Sequence, residues 1–202
     1  MKRLYLFADQ ISRGAAWFGG GLLLLAAAII TADVIARKLF QVSMGGSDEL
    51  AGYTLAIATS WGLSFTLMRR ANIRIDALYM RLPKRVTAWF DLIALVLMGF
   101  FMAFVAWFAS RLWLGSIQMQ STSNTPLQTP LMIPQGLWLA GFVLFLFVLL
   151  VLLARVVGLL VRGEHMGVGE IAGIRTVEEE VHDELSSSNP KHSREVGLRD
   201  VN

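Results

Sequence analysis

The chain has no cysteine, few charged side chains and three histidines, all of them beyond residue 163. Without cysteine it cannot form disulfides, iron–sulfur clusters or thiolate zinc sites. The apolar part of the sequence also lacks a histidine that could ligate haem from a membrane helix. Charged residues make up 16% of the 202 residues, against about 25% in a typical soluble chain. The chain is 55% hydrophobic with a mean hydropathy of +0.57, and this composition indicates an integral membrane protein.

Four long stretches of the sequence carry no charge. Three of them contain 19 consecutive uncharged residues each, and the fourth extends from Leu112 to Ala154, with its dense apolar part after Leu131. A helix of 19 residues covers about 28 Å, which is close to the hydrocarbon thickness of a bilayer. We predict an all-α integral membrane protein with four transmembrane helices, since a barrel would need short alternating strands. The predicted spans are approximately 14–36, 48–68, 89–112 and 133–160, within a membrane domain of residues 1–162.

The basic residues predict the orientation in the membrane. Fifteen of the 18 lie on the side that holds both chain ends and the connection between the second and third spans, and three lie on the other side. Because lysine and arginine concentrate on the cytoplasmic side, we expect both termini to be cytoplasmic. The pI near 9.6 is then explained by charge along the membrane edges, and we expect no nucleic acid partner.

Two segments outside the spans differ in character. The connection 69–87 has apolar residues at helical spacing beside several arginines, which predicts an amphipathic interfacial helix in contact with membrane lipids. Residues 163–202 carry nine acidic and four basic side chains and lack large aromatic residues. This composition predicts a disordered cytoplasmic C-terminal tail, and a solvated tail without further function is its simplest interpretation.

The sequence offers little catalytic chemistry. No serine lies in a nucleophile-elbow pattern, and no glycine loop matches a phosphate-binding motif. We therefore expect no enzymatic activity, no cofactor and no metal site. The carboxylates of the spans lie near the span ends and not at the bilayer centre, which argues against an autonomous ion-coupled pump.

Ionisable residues at the span ends are the functional candidates. Asp33 lies four residues before Arg37, and this spacing predicts a local ion pair on one helix face. Asp48 and Glu49 open the second span, where carboxylates complement the partial positive charge of a helix N-terminus. We expect Ser47 to cap that helix.

The six tryptophans form two groups. Four lie near span ends, where indole rings anchor at the membrane interface. Trp61 and Trp107 lie deeper in their spans. We expect these two to face another helix or a partner subunit.

The same residues carry a family resemblance. Arg37 follows the first span, the acidic pair Asp48-Glu49 opens the second, and Trp61 lies within it. The basic connection then contains the run Arg69-Arg70-Ala71-Asn72-Ile73-Arg74-Ile75-Asp76. In this order and spacing they resemble the small membrane subunit (DctQ-type, or Q subunit) of tripartite ATP-independent periplasmic (TRAP) transporters, over about residues 15–160.

The resemblance implies a non-catalytic scaffold subunit in a bacterial or archaeal cytoplasmic (inner) membrane. In that family a periplasmic binding protein delivers an organic acid, typically a carboxylate, to a large permease subunit that imports it with sodium. The small subunit packs against the large one and carries no substrate site itself. The subunit-interface or docking candidates that the resemblance implies are Arg37, Asp48, Glu49, Trp61, Arg69, Arg70 and Asp76.

The chain departs from the family pattern at two places. Asn72 stands where the family usually has histidine, and Gly46-Ser47 stands where it usually has an aromatic residue before the acidic pair. A titrating role at position 72 is therefore lost, whereas asparagine can still cap a helix or donate hydrogen bonds.

Two other functions stay open at this point. The chain could be a self-sufficient small transporter that works as a homodimer, or a membrane anchor or assembly factor of an unrelated complex in which the tail is the working part. In the scaffold interpretation, the residues that select the substrate lie in other chains.

Overall fold

The structure is a computed structural model that describes residues 2–42, 45–70 and 83–163. In that part of the chain it contains four α-helices and no strand beyond one isolated bridge between Thr122 and Pro130, which confirms the all-α prediction. The helices are α1 (Lys2–Phe40), α2 (Ser47–Met68), α3 (Lys84–Gln118) and α4 (Met132–Val161). Each predicted span lies within one helix. The predicted interfacial helix falls largely on residues 71–82 and the predicted tail on 164–202, and both lie outside the described residues.

Three helices of the described chain, α1, α3 and α4, are long and apolar enough to cross a membrane. α2 is not among them, although its 22 residues suffice in length, because hydroxyl side chains recur along it. Two of these hydroxyls, on Ser60 and Ser64, are buried and donate to carbonyl oxygens of the same helix, each at 2.9 Å. These two hydroxyls of α2 are thus hydrogen-bonded inside the bundle, and the fourth span stays a prediction.

α4 is the central helix of the bundle. It packs against α2 and against α3, while α1 packs mainly against α2. The large buried side chains are concentrated on α4, where five residues are less than 5% exposed: Phe145, Val148, Leu149, Leu152 and Val156. The helices therefore follow one another in space in the order α1, α2, α4, α3.

The buried stripe of α1 is made of small residues. Its buried positions, separated by three, four or seven residues, are Ala8, Ser12, Ala15, Gly19, Ala26 and Asp33. Small side chains let two membrane helices approach closely. At Gly19, a Cβ atom would lie 3.1 Å from the carbonyl oxygen of Ala58 in α2. The close contact of α1 with α2 thus depends on the small side chains of this stripe.

A second close approach brings α2 to α4. A Cβ atom on Gly141 would lie 2.3 Å from Oγ of Ser60 and 2.8 Å from its carbonyl carbon. Glycine at this position allows the backbone of α4 to pack directly on Ser60.

Both ends of the described chain lie at the same end of the bundle. The guanidinium carbon of Arg155 in α4 lies 4.2 Å from the centre of the Tyr5 ring in α1. Trp89 and Leu92, near the start of α3, line a groove of about 290 Å³ together with residues from the last turns of α4. We call this the terminal end. The opposite end, where α1 connects to α2 and α3 connects to α4, is called the hairpin end.

α3 ends in a Schellman motif that turns the chain across the hairpin end. The N–H of Ser121 donates to the carbonyl of Ser116 at 3.0 Å, and the N–H of Gln120 donates to that of Ile117 at 3.3 Å. Gln120 occupies the left-handed position of this motif, with φ 51°. The chain then enters the α3–α4 loop, residues 119–131, which leads back to α4.

Candidate subunit-interaction site

The buried carboxylate of Asp33 organises the connection between α1 and α2. Asp33 is 0% exposed, although it lies near the end of α1. Its Oδ2 accepts hydrogen bonds from Nη2 of Arg37 at 2.6 Å and from Oγ of Ser47 at 2.8 Å. The ion pair predicted from the sequence is confirmed. The additional bond to Ser47 joins the end of α1 to the start of α2.

The predicted capping role of Ser47 is wrong. The residue at the cap position of α2 is Gly46, and no side chain makes a capping hydrogen bond there. A buried carboxylate is costly unless donors satisfy it, and the hydroxyl of Ser47 donates to Asp33. The predicted carboxylates Asp48 and Glu49 do lie in the first turn of α2, where their charge is favourable.

Glu49 links α2 to the α3–α4 loop. Its Oε2 accepts a hydrogen bond from the hydroxyl of Thr125. The hydroxyls of Thr125 and Ser123 are themselves hydrogen-bonded at 2.7 Å, and the N–H of Ser123 donates to the carbonyl of Thr129 at 3.0 Å. The carboxylate of α2 is therefore held by a loop that has its own internal hydrogen bonds.

The α3–α4 loop also covers the turn between α1 and α2. Gly45 has φ +69°, and a Cβ atom there would lie 3.5 Å from Cγ of Pro126. A Cβ atom on Gly46 would lie 2.1 Å from Cδ1 of Leu127, so the Leu127 side chain occupies the space that any larger residue would need. The two connections therefore form a single packed layer across the hairpin end.

Two of the predicted docking residues are exposed on this layer. The side chain of Arg37 is 56% exposed while it pairs with Asp33, and Asp48 is exposed at the start of α2. Exposed charges on a well-packed support can pair with charges of a partner protein and raise the association rate.

Trp61 connects three helices in the middle of the bundle. Its Nε1 donates to the carbonyl oxygen of Leu137 in α4 at 2.8 Å. Its ring lies 4.7 Å, centre to centre, from the ring of Phe18 in α1. The expectation that Trp61 faces another helix is confirmed. Trp107, for which we expected the same, is 62% exposed on α3.

Two further predicted residues, Arg69 and Arg70, lie at the terminal end. Arg69 follows α2 directly, and its guanidinium carbon lies 5.2 Å from the centre of the Phe65 ring. Arg70 adopts a left-handed conformation with φ 55°, and Asp76 lies outside the described residues. The structure thus divides the predicted residues between the two ends of the bundle and its middle.

The residues of the α3–α4 loop that hold Glu49 were not predicted from the sequence. Ser123 and Thr125 belong to a polar run between two apolar stretches, and such a run marks a loop without showing what it contacts.

The described residues contain no group of three or more side chains that could hold a metal ion.

Most of the described helices fall within a match to a known protein family. Residues 26–159 match the family of tripartite ATP-independent periplasmic transporters, DctQ component. The match covers well over half of the chain and includes the hairpin end, Trp61 and the terminal end of α2. No curated protein and no solved structure matches the chain significantly. The chain therefore belongs to the DctQ component family of tripartite ATP-independent periplasmic transporters.

Proposed function

We propose that this protein is the small scaffold subunit of a sodium-driven TRAP transporter. It packs against the large permease subunit, which imports an organic acid of the carboxylate class delivered by a periplasmic binding protein. The observation that carries this proposal is the family match over residues 26–159, which contains α2, α3 and nearly all of α4. The scaffold itself carries no substrate site.

The proposed orientation places the terminal end in the cytoplasm and the hairpin end in the periplasm. The basic residues at the starts of α1 and α3 and at the end of α2 support it, because cytoplasmic flanks are enriched in lysine and arginine. The hairpin end then faces the binding protein, and its exposed Arg37 and Asp48 are the docking residues that we propose.

The exposed side of α2 is the surface that we propose for the large subunit. Beside Leu55, which is 59% exposed, it carries small or hydroxyl residues at helical spacing, namely Gly52, Ala56, Thr59 and Thr66. The exposed side of α3 instead carries large aromatic residues such as Phe100, 75% exposed. Contacts between membrane helices favour small residues and threonine, and α2 is the one described helix that is not apolar enough to be a membrane span by composition. A partner helix therefore suits α2, and lipid suits α3.

The proposed function is tested by expressing the tagged chain together with the large permease and the binding protein encoded beside it. Co-purification of the permease in mild detergent at near-equal stoichiometry is expected. In proteoliposomes, uptake of a carboxylate should need both membrane subunits, the binding protein and an inward sodium gradient. Uptake by the purified chain alone would instead support the self-sufficient homodimer.

The contact surface is tested with a pair of bulky substitutions. Ala56→Trp places a large ring on the exposed side of α2 and is expected to abolish co-purification of the permease. Leu24→Trp changes a 76% exposed residue of α1 and is the matched control, expected to leave co-purification unchanged. Equal retention of the permease by both variants would exclude this side of α2 as the contact.

The anchor or assembly-factor alternative is tested through the tail. Deletion of residues 164–202 leaves all four helices intact. A scaffold without these residues should support transport at the rate of the full chain, whereas an adaptor that works through its tail should lose its activity.

A further inference from the structure

The terminal end of the bundle carries a large surplus of positive charge. Its acidic residues in the described chain are two: Asp9, which pairs with Arg13 at 2.6 Å, and Asp91, which is 2% exposed. Its basic residues lie in α1, α3 and α4 and in the turns after α2 and α4: Lys2, Arg3, Arg13, Arg69, Arg70, Lys84, Arg85, Arg155 and Arg162. Arg3 and Arg162 are exposed, on α1 and directly after α4. This surface of the terminal end is therefore suited to a polyanion.

The chain beyond the described residues has the opposite charge. Residues 164–202 carry nine acidic and four basic side chains, a net charge of −5. Five of these carboxylates lie within seven residues, in a stretch without lysine or arginine: Glu178, Glu179, Glu180, Asp183 and Glu184. We call residues 178–184 the acidic segment. Its five negative charges are complementary to the positive charge of the terminal end.

The acidic segment is tethered to the terminal end, and the tether is long enough for the segment to contact the basic residues there. The described chain ends at Gly163, one residue after Arg162 and so at the terminal end itself. The residues between Gly163 and Glu178 can extend over about 50 Å. Four helices packed side by side measure about 30 Å across, so the segment can reach every cation of that end. A tether of this length also holds it at an effective concentration of about millimolar.

We propose that the acidic segment docks on the cationic terminal end of its own chain, across Arg3 of α1 and Arg162 of α4. Single exposed ion pairs are weak and screened by salt, so the binding arises from several charges at once. The docked segment competes with anionic lipid headgroups, which are attracted by the same cations. This inference goes beyond the scaffold function and does not depend on the partner subunit.

The absence of cysteine in the chain allows a clean distance measurement. Leu4→Cys, at a position that is 47% exposed and next to Arg3, and Val181→Cys, inside the acidic segment, accept a pair of spin labels. The full-length chain is placed in nanodiscs of zwitterionic phosphatidylcholine, and the distance distribution is measured by pulsed dipolar spectroscopy. At low ionic strength we expect a dominant population below about 30 Å, which broadens in about 1 M salt because the charges are then screened within about 3 Å.

Two matched variants separate charge from tail composition. Glu178→Gln, Glu179→Gln and Glu180→Gln combined should abolish the short-distance population. Ser186→Ala, Ser187→Ala and Ser188→Ala combined change three neighbouring residues without changing charge and should keep it. A population that survives the glutamine substitutions, or that does not respond to salt, overturns the proposal.

The same experiment distinguishes the acidic segment from anionic lipid as the ligand of the terminal end. Loss of the short-distance population in nanodiscs that contain phosphatidylglycerol, with its retention in phosphatidylcholine, supports competition for the same cations. Absence of the population in both lipids overturns the docking of the segment.

Discussion

Ser47 donates its hydroxyl hydrogen to Oδ2 of Asp33 at 2.8 Å, and this bond ties the first residue of α2 to a buried carboxylate of α1. The same oxygen accepts from Arg37, whose side chain is 56% exposed. The two donors therefore differ in environment. A hydrogen bond between buried groups contributes more than an ion pair with an exposed arginine, because water competes for the arginine.

Ser47→Ala is expected to destabilise the protein by about 1 kcal/mol, and Arg37→Ala by less. Asp33→Ala removes the acceptor of both. The free energy of unfolding in mild detergent, measured for the single and double variants, gives the coupling of each pair. A coupling of Asp33 with Arg37 larger than that with Ser47 would contradict this ranking.

Trp61→Phe keeps a ring against Phe18 but removes the N–H that donates to Leu137. We expect a loss of about 1 kcal/mol in unfolding free energy, because the carbonyl of Leu137 loses a hydrogen bond. Trp107→Phe is the matched control at a 62% exposed tryptophan and should change stability little. Thermal unfolding of the two variants side by side checks the difference, and equal stabilities would argue against the bridging role of Trp61.

Gly141→Ala is expected to destabilise the contact of α2 with α4. The added methyl group would lie 2.3 Å from Oγ and 2.8 Å from the carbonyl carbon of Ser60, so the helices must separate, at a cost of about 1–3 kcal/mol. Gly20→Ala has no heavy atom within 4 Å of the new Cβ atom and should be neutral or slightly stabilising, since alanine favours helix. Midpoint temperatures in detergent give the comparison. A Gly141→Ala variant as stable as Gly20→Ala would show that α2 and α4 are not closely packed at Gly141.

Thr125→Val removes the hydroxyl that donates to Glu49. The α3–α4 loop should then open more often, and the amide of Ser123, which donates to Thr129, should exchange hydrogen about fivefold faster for a loss of about 1 kcal/mol. Thr122→Val alters an exposed neighbour and is expected to leave the exchange rate unchanged. Hydrogen exchange with mass spectrometry measures both. Unchanged exchange in Thr125→Val would show that the hydrogen bond of Thr125 to Glu49 does not hold the α3–α4 loop closed.

Local patterns in the sequence predicted local structure well. The spacing of Asp33 and Arg37 predicted their ion pair, and Asp48 and Glu49 lie in the first turn of α2, as expected. These features need only the helical repeat and the chemistry of helix termini, so a short window of sequence contains all the necessary information.

Contacts between distant parts of the chain were not predictable in the same way. Trp61 and Leu137 are 76 residues apart, as are Glu49 and Thr125. Which residues meet across such distances depends on how each helix is rotated about its axis. In α2 neither hydrophobic periodicity nor charge defines that rotation clearly, because polar and apolar residues alternate around it. Ser47 shows the consequence, since its capping role was inferred from its neighbours and its actual partner comes from another helix.

The position of α2 between α1 and α4 bears on how the protein enters the membrane. Its polar side chains make α2 a weaker insertion signal than the other helices, and one of its two flanking helices is synthesised last. The contact of Ser60 with Gly141 cannot form until Gly141 has left the ribosome. Until then α1 is the helix available to hold α2, through the bond of Ser47 to Asp33 and the packing of Ala58 on Gly19. We therefore predict that the turn between α1 and α2 contributes to co-translational insertion of α2 as well as to the stability of the finished bundle.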